Sequence, residues 1–386
     1  MSAKATPDLK VGIGFGDHPE PEPAVRIALE QALASAGPPV LTVVLVAGEY
    51  NPEAIRAAVC SLLGDRPFVG TWAAGIIIGF KVHDRGVGVL TLGGGAVDAA
   101  TYLEPGAAED PFRKGVEAGR ALAAAAAAGG RPGTVLVFPD ARCANVSELL
   151  RGLYDALGPD YAYLGGGSGD HRRLPCGFQF TQAGWASGAA AVALLGGLRT
   201  SQGLEHGWIP TGEPLAVTRA EGRRVYEIDG LPALVRYTEV VEGCTREAFP
   251  WWGMRYPLGL PAVGGEFIIR DPVEAGEDGS LLFVAEVPEN SIATVMKADA
   301  AGIVAAARRA VRTALAASPG PRLLLVLDCV SRLRLLGQEA QREIAAVAEQ
   351  VGPGLPVFGM LTFGEISSLC GVPLFYNKTV IAAAGW

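Results

Sequence analysis

A short β-branched apolar run that leads into a polar loop, an amphipathic helix, a second strand and a glycine-rich turn occurs three times in this chain. The runs are residues 40–46 (VLTVVLV), 134–138 (TVLVF) and 321–328 (PRLLLVLD), and each reads as a buried strand. Helical patterns follow at 51–63, 146–157 and 338–351, and each closes near Gly and Pro, the usual stop signals. The second strands and their turns are FVGTWAAGI at 68–76, YLGGGSGDH at 163–171 and VFGMLTFGEI at 357–366. Two more short strands are expected after each turn, and an apolar helix precedes each unit at about 21–36, 109–128 and 298–317. Repetition at this scale constrains the fold more than any local propensity.

The unit therefore reads helix, strand, helix, strand, strand, strand. Strand–helix–strand connections imply right-handed parallel crossovers, and the closing strands imply an antiparallel extension. The fold class expected is α/β (mixed α+β), with mixed sheets covered by helices. Two units fill the N-terminal half and the third fills the C-terminal end. Between them, residues 199–297 break the rhythm, and 212–230 reads as a hairpin across Glu221 and Gly222. The stretch from Gly243 to Gly265, rich in Trp, Pro and Gly, is either a loop or lid, or a connector packed by its own aromatics.

The chain has 386 residues, so two domains are expected, because single cores rarely grow past about 250–300 residues. With 49% hydrophobic and 19% charged residues, it has material for a large core. A net charge of −8 gives no electrostatic footprint for nucleic acid or an anionic membrane. The six cysteines lie far apart without a CxxC pair, which reads as reduced thiols of a cytoplasmic protein. The opening MSAKATPDLK has no signal-like apolar core, and no apolar run approaches the roughly 18 residues of a membrane span.

Most catalytic signatures are absent. There is no GxxxxGK[ST], HExxH or GxSxG. GIGFGD at 12–17 is GxGxG rather than the dinucleotide GxGxxG, and a tight strand-end turn is expected there. The four histidines are scattered without metal-ligand spacing, so neither a metal nor a cofactor is expected. Ser168, Asp170 and His171 crowd one turn, whereas triad members come from different elements.

Ligands in parallel-stranded sheets bind where loops converge at the carboxyl ends of strands. The residues expected there are Cys329, Ser331 and Arg332 on the loop after a first strand, with Gly359, Thr362, Gly364 and Glu365 on a second-strand turn. Asn377 lies near the C-terminus, and the middle unit offers Gly166, Gly167, Ser168 and Asp170. Aligning the turns on their last glycine places Ile76, Asp170 and Glu365 in equivalent positions. A carboxylate at Glu365 with Arg332 nearby suits a small zwitterion such as an amino acid; alternatively, the two pair with each other. Cys329 is a candidate nucleophile or an inert core thiol.

The stretch DCVSRLRLLG, followed by PVFGMLTFGEI and YNKTV, resembles the C-terminal FIST domain. That domain shows a Cys-x-Gly-Arg loop, a Gly-Phe-Tyr-Thr-x-Gly-Glu turn and a late Asn-x-Thr. Cys329, Arg332, Gly359, Thr362, Gly364, Glu365, Asn377 and Thr379 match, and Ser331 replaces the glycine. LGGGSGD resembles the second glycine turn of the N-terminal domain, while Gly70 to Ile76 departs from that family's Gly-Cys-Ser-Thr-Ala-Gly-Glu. The resemblance implies two FIST halves, at 1–220 and 221–386. It also implies a sensory protein that binds a small ligand such as an amino acid and signals through a separate output protein. The competing expectation is a hydrolase or transferase using Cys329 or the Asp170/His171 turn.

Overall fold

The computed structural model describes residues 9–95, 97–126, 131–141, 143, 145–169, 177–262 and 265–386. Three six-stranded mixed sheets carry the repeat. In the first, Lys10–Gly16, Gly86–Gly93, Leu41–Ala47 and Phe68–Trp72 lie side by side, and the last two form the parallel pair expected of a crossover. The second sheet repeats this order with Asp98–Glu104, Ala190–Gly196, Gly133–Pro139 and Tyr161–Gly166. The third does so with Thr200–Glu205, Val380–Gly385, Leu323–Cys329 and Val357–Thr362.

Each unit also gives a hairpin away. Gly75–Ile78 and Lys81–His83 of the first unit complete the third sheet, Gln179–Thr181 and Gly184–Ala186 of the second complete the first, and Glu365–Ser367 and Leu374–Tyr376 of the third complete the second. The exchange is cyclic, so the three sheets close into a ring. Two strands were expected after each turn, and there are three, besides an edge strand before the first helix of each unit. The exchanged strands are only three or four residues long, too short for a period to register.

Side-chain alternation explains why the first strands read as unbroken apolar runs. Val43 and Leu45, Leu136 and Phe138, and Leu325 and Leu327 point into one core shared by all three sheets. Their neighbours Val44 and Val46, Val135 and Val137, and Leu324 and Val326 point outward under the helices. A sheet buried on both faces loses the polar alternation of a half-exposed strand.

The glycines of GIGFGD lie within the edge strand, not in a turn at its end. A Cβ on Gly12, Gly14 or Gly16 would overlap the backbone carbonyl of Ala32, Ala28 or Ala24, respectively, on helix Pro21–Ala36. Every second strand residue meets every fourth helix residue, and only glycine permits that approach.

Residues 209–297 form a separate nine-stranded sheet, inserted between the third unit's edge strand and its helix Ala300–Ala317. The expected hairpin is present as Leu215–Glu221 against Arg224–Ile228, so a division at 220/221 passes through a strand. The Trp- and Pro-rich stretch supplies helix Phe249–Arg255 and strand Leu258–Pro261. Among the described residues no helix is long and apolar enough to cross a membrane.

Candidate functional site

A cavity of about 540 Å³ lies where the inserted sheet meets the third unit. Helix Phe249–Arg255 contributes Pro250, Trp251 and Met254, and the insertion also places Arg223, Asp271, Val273 and Val284 on the wall. The third unit contributes Cys329, Ser331 and Arg334 at the end of its first strand, Phe363 and Gly364 at its glycine turn, and Asn377. Ala141 of the second unit completes the wall.

Four of the expected residues thus share this wall: Cys329, Ser331, Gly364 and Asn377. Arg332, Thr362 and Glu365 stand behind it, all fully buried. Arg332 sits on helix Val330–Leu336 rather than a loop. Its guanidinium is taken up by Glu343 Oε1 (3.0 and 2.5 Å), Asp328 Oδ1 (3.0 Å) and the carbonyls of His206 (2.5 Å), Lys378 (3.0 Å) and Ile303 (3.0 Å). Arg332 and Glu365 therefore do not pair with each other. Burial first, and then Glu343, drives the Asp328 carboxyl well above the usual range.

Glu365 accepts from the Thr362 hydroxyl on one oxygen, and on the other from the Thr379 amide (3.1 Å) and hydroxyl (2.7 Å). Burial raises its pKa to about 7, against these hydrogen bonds and one to Cys329. The Cys329 Sγ lies 3.1 Å from Ser331 Oγ, and burial pushes the thiol up to about 12. It is a thiol at neutral pH, without the activation a nucleophile needs. Gly359 lies in mid-strand, where a Cβ would overlap the Val326 carbonyl oxygen; it serves sheet packing.

In the middle unit, Gly166 pairs with Glu365 across the exchanged hairpin, and the Gly167 amide donates to the Gly364 carbonyl at 2.8 Å. Ser168 is buried and accepts from Gln179 Nε2. Asp170 and His171 lie outside the described residues. Strand register corrects the equivalence expected for Asp170. Ile77, Phe180 and Ile366 each face the mid-strand glycine of their sheet (Gly359, Gly70 and Gly165), so Ile76, Gln179 and Glu365 are the equivalent positions. The second turn is longer than the others, and alignment on its last glycine misses this.

Sequence reasoning also missed Asp271 and Lys378. Lys378 is fully buried, has φ of +58° and places Nζ 2.8 Å from Asp271 Oδ2. Its place in the YNKTV motif was the available signal. Asp271, from the insertion, had none. Burial raises its pKa, and Lys378 opposes the shift. The Asn377 Nδ2 donates to the Tyr376 carbonyl at 2.9 Å, while Asn377 Oδ1 and Asp271 Oδ1 are buried without a hydrogen-bond donor. No group of three or more His, Cys, Asp or Glu among the described residues is placed to hold a metal.

Comparison with known proteins agrees with the motifs. A FIST N domain matches residues 40–231 and a FIST C domain residues 233–368. An uncharacterised protein of Mycobacterium tuberculosis strain H37Rv is 26% identical over 97% of this chain and 99% of its own length. One from Methanocaldococcus jannaschii is 28% identical over 42% of this chain and 34% of its length. Among solved structures, a cyanuric acid hydrolase from A. caulinodans superposes with a TM-score of 0.26 at 16% identity, over 50% of this chain and 72% of that one, too weak a likeness to argue from. The two domain matches together span most of the sequence, and the chain belongs to the FIST family, whose domains are associated with sensory signal transduction.

Proposed function

We propose that this protein is a cytoplasmic sensor that binds a small zwitterion, such as an amino acid, in the cavity between the inserted sheet and the third unit. The observation that carries this reading is convergence. Cys329 and Ser331, Gly364, and Asn377 come from three separate sequence motifs and meet on one wall. A volume of about 540 Å³ suits a small metabolite, within the roughly 300–1,000 Å³ of ligand pockets. Arg223 and Arg334 bring cationic groups to the wall and Asp271 brings a carboxyl, the two signs that a zwitterion requires. The five described cysteines are free thiols, in keeping with a reducing compartment.

Because the wall is shared by the insertion and the third unit, occupancy would change how the two pack. That change is what a separate output protein would read. The test is a thermal-shift screen of the full chain against a metabolite library. A ligand at 100 times its Kd adds about 2.7 kcal/mol of apparent stability, and Trp251→Ala, on the cavity wall, should reduce the shift given by any hit. A library in which no compound raises the melting temperature would sink the proposal.

A further inference from the structure

We infer that the cavity holds its ligand by a carboxylate seated on the Arg223 guanidinium, with an apolar body laid against Trp251, Val273 and Phe363. The inference rests on the small-ligand reading above and adds which end of the ligand is anchored. Arg223 follows the Glu221–Gly222 turn of the inserted hairpin, and its backbone is fixed there, its carbonyl accepting from the Phe283 amide at 2.8 Å. The side chain is half-buried on the cavity wall, where Nη1 reaches the Val284 carbonyl at 3.4 Å. Among the described residues no carboxylate pairs with it, and Nε and Nη2 are neither hydrogen-bonded nor enclosed. A half-buried guanidinium with an open fork suits a planar carboxylate, which accepts two N–H bonds side by side.

The rest of the wall decides against anchoring by the opposite charge. Asp271 is the one acidic residue lining the cavity, and its Oδ2 is held by Lys378 Nζ at 2.8 Å. An incoming ammonium therefore meets an ion pair that is already formed. Arg334 shares the wall but is already engaged, which leaves Arg223 as the anchor. Trp251 and Val273 are 47% and 39% exposed. They come from two elements packed together, helix Phe249–Arg255 and strand Pro272–Ala275, and both line the cavity. Such a surface gains by being taken out of water under an apolar body. A polar or charged body there would lose its own water without gaining a partner.

The test is calorimetric titration of the full chain with L-phenylalanine and with analogues that each lack one part. These are 3-phenylpropanoate without the amine, phenethylamine without the carboxylate, L-phenylalaninamide with the carboxylate neutralised, and glycine without the apolar body. Phenylalanine and 3-phenylpropanoate should bind within tenfold of each other, and the other three at least tenfold more weakly than phenylalanine. Arg223→Gln should weaken both carboxylates at least tenfold with the ligand-free melting temperature nearly unchanged, since it removes one long hydrogen bond to a carbonyl. Arg223→Lys, which keeps the charge and loses the fork, should fall between the two. If the glutamine variant does not fold, the wild-type comparison decides alone. Phenethylamine binding as tightly as 3-phenylpropanoate overturns the inference, as does unchanged affinity in Arg223→Gln or no binding by either carboxylate. A library hit without a carboxylate overturns it too, yet leaves the small-ligand reading standing; a library with no hit at all removes that reading as well.

Discussion

The first and third units build the same corner of the fold from opposite chemistry. Counting three residues beyond the paired Val44–Gly70 and Val326–Gly359 positions places Ala47 and Ala73 in one unit where Cys329 and Thr362 stand in the other, with Ile76 opposite Glu365. The first corner is apolar and packed, with Trp72 against Phe178 and Phe180. The third is polar, and its Cys329 lies on the wall of the cavity. The middle unit is intermediate, with Asp140, Ser168 and Gln179. Its Gln179 Oε1 accepts from the Ala189 amide at 3.3 Å, as Glu365 accepts from the Thr379 amide at 3.1 Å. One backbone frame thus tolerates apolar, neutral polar and acidic fillings, and the polar filling goes with the unit that meets the insertion.

Three residues further along, the units use Tyr50, Cys143 and Arg332 to reach back to the loop after their edge strands. The Tyr50 hydroxyl donates to the His18 carbonyl at 2.5 Å, the Cys143 thiol to Ala107 at 3.3 Å, and Arg332 to His206 at 2.5 Å. Even the loops correspond, since His18 Nδ1 and His206 Nδ1 each accept from the amide two residues on. A guanidinium is the costly solution, because it must be buried with carboxylates. Arg332→Leu should therefore produce the largest effect, leaving Glu343 and Asp328 without their cation. Losing one partner of a buried pair costs about 3–5 kcal/mol, measurable as a fall in the urea midpoint. A loss below about 1 kcal/mol would show that the third unit does not depend on this cluster.

The Glu365 corner should respond to pH. Burial raises the folded-state pKa from 4.5 to about 7, so between those values the folded chain holds a proton that the unfolded chain has lost. This contribution is fully present below pH 4.5 and is lost as pH rises through 7. A rise of that size corresponds to about 3 kcal/mol. Glu365→Gln copies the middle unit: an amide oxygen accepts from Thr379 and an amide nitrogen donates to Thr362, as Gln179 does with Ala189 and Ser168. The variant should match wild type near pH 4 and exceed it at pH 8, with the affinity of any cavity ligand unchanged because Glu365 is behind the wall. Urea denaturation of both proteins between pH 4 and 8 checks this; parallel curves would place the carboxyl's titration elsewhere.

The repeat was legible because each first strand is buried on both faces, so its apolar run is unbroken, and because the helices carry their own stop signals. The hairpin exchange was not legible. Lys81–His83 looks like any short polar segment, and its partner strand Gly75–Ile78 pairs with Val357–Thr362, far away in sequence. The residues expected at the site follow the same divide. Cys329, Ser331, Gly364 and Asn377 reach the cavity, while Arg332, Gly359 and Glu365 match the same family motifs yet serve packing and buried hydrogen bonding. Motif membership does not distinguish a wall residue from the one behind it; burial does. Asp271 and Trp251 come from an insertion with no counterpart in the other units, so the repeat could not point to them.

The smallest expected effect is at Tyr50. Its hydroxyl makes the same reach as Arg332 but carries no charge, so Tyr50→Phe keeps the ring packing and removes a single hydrogen bond to the His18 carbonyl. The net worth of such a bond is about 1 kcal/mol, and a partly exposed carbonyl can turn to water for a replacement. His18 lies at this surface, beside the exposed Asp17–Arg85 ion pair. The loss should therefore be about a third or less of that caused by Arg332→Leu. Urea midpoints of the two variants, measured side by side at pH 7, give the ratio. Equal losses would mean that the backbone reach itself, and not the buried charge, sets the cost at this position in every unit.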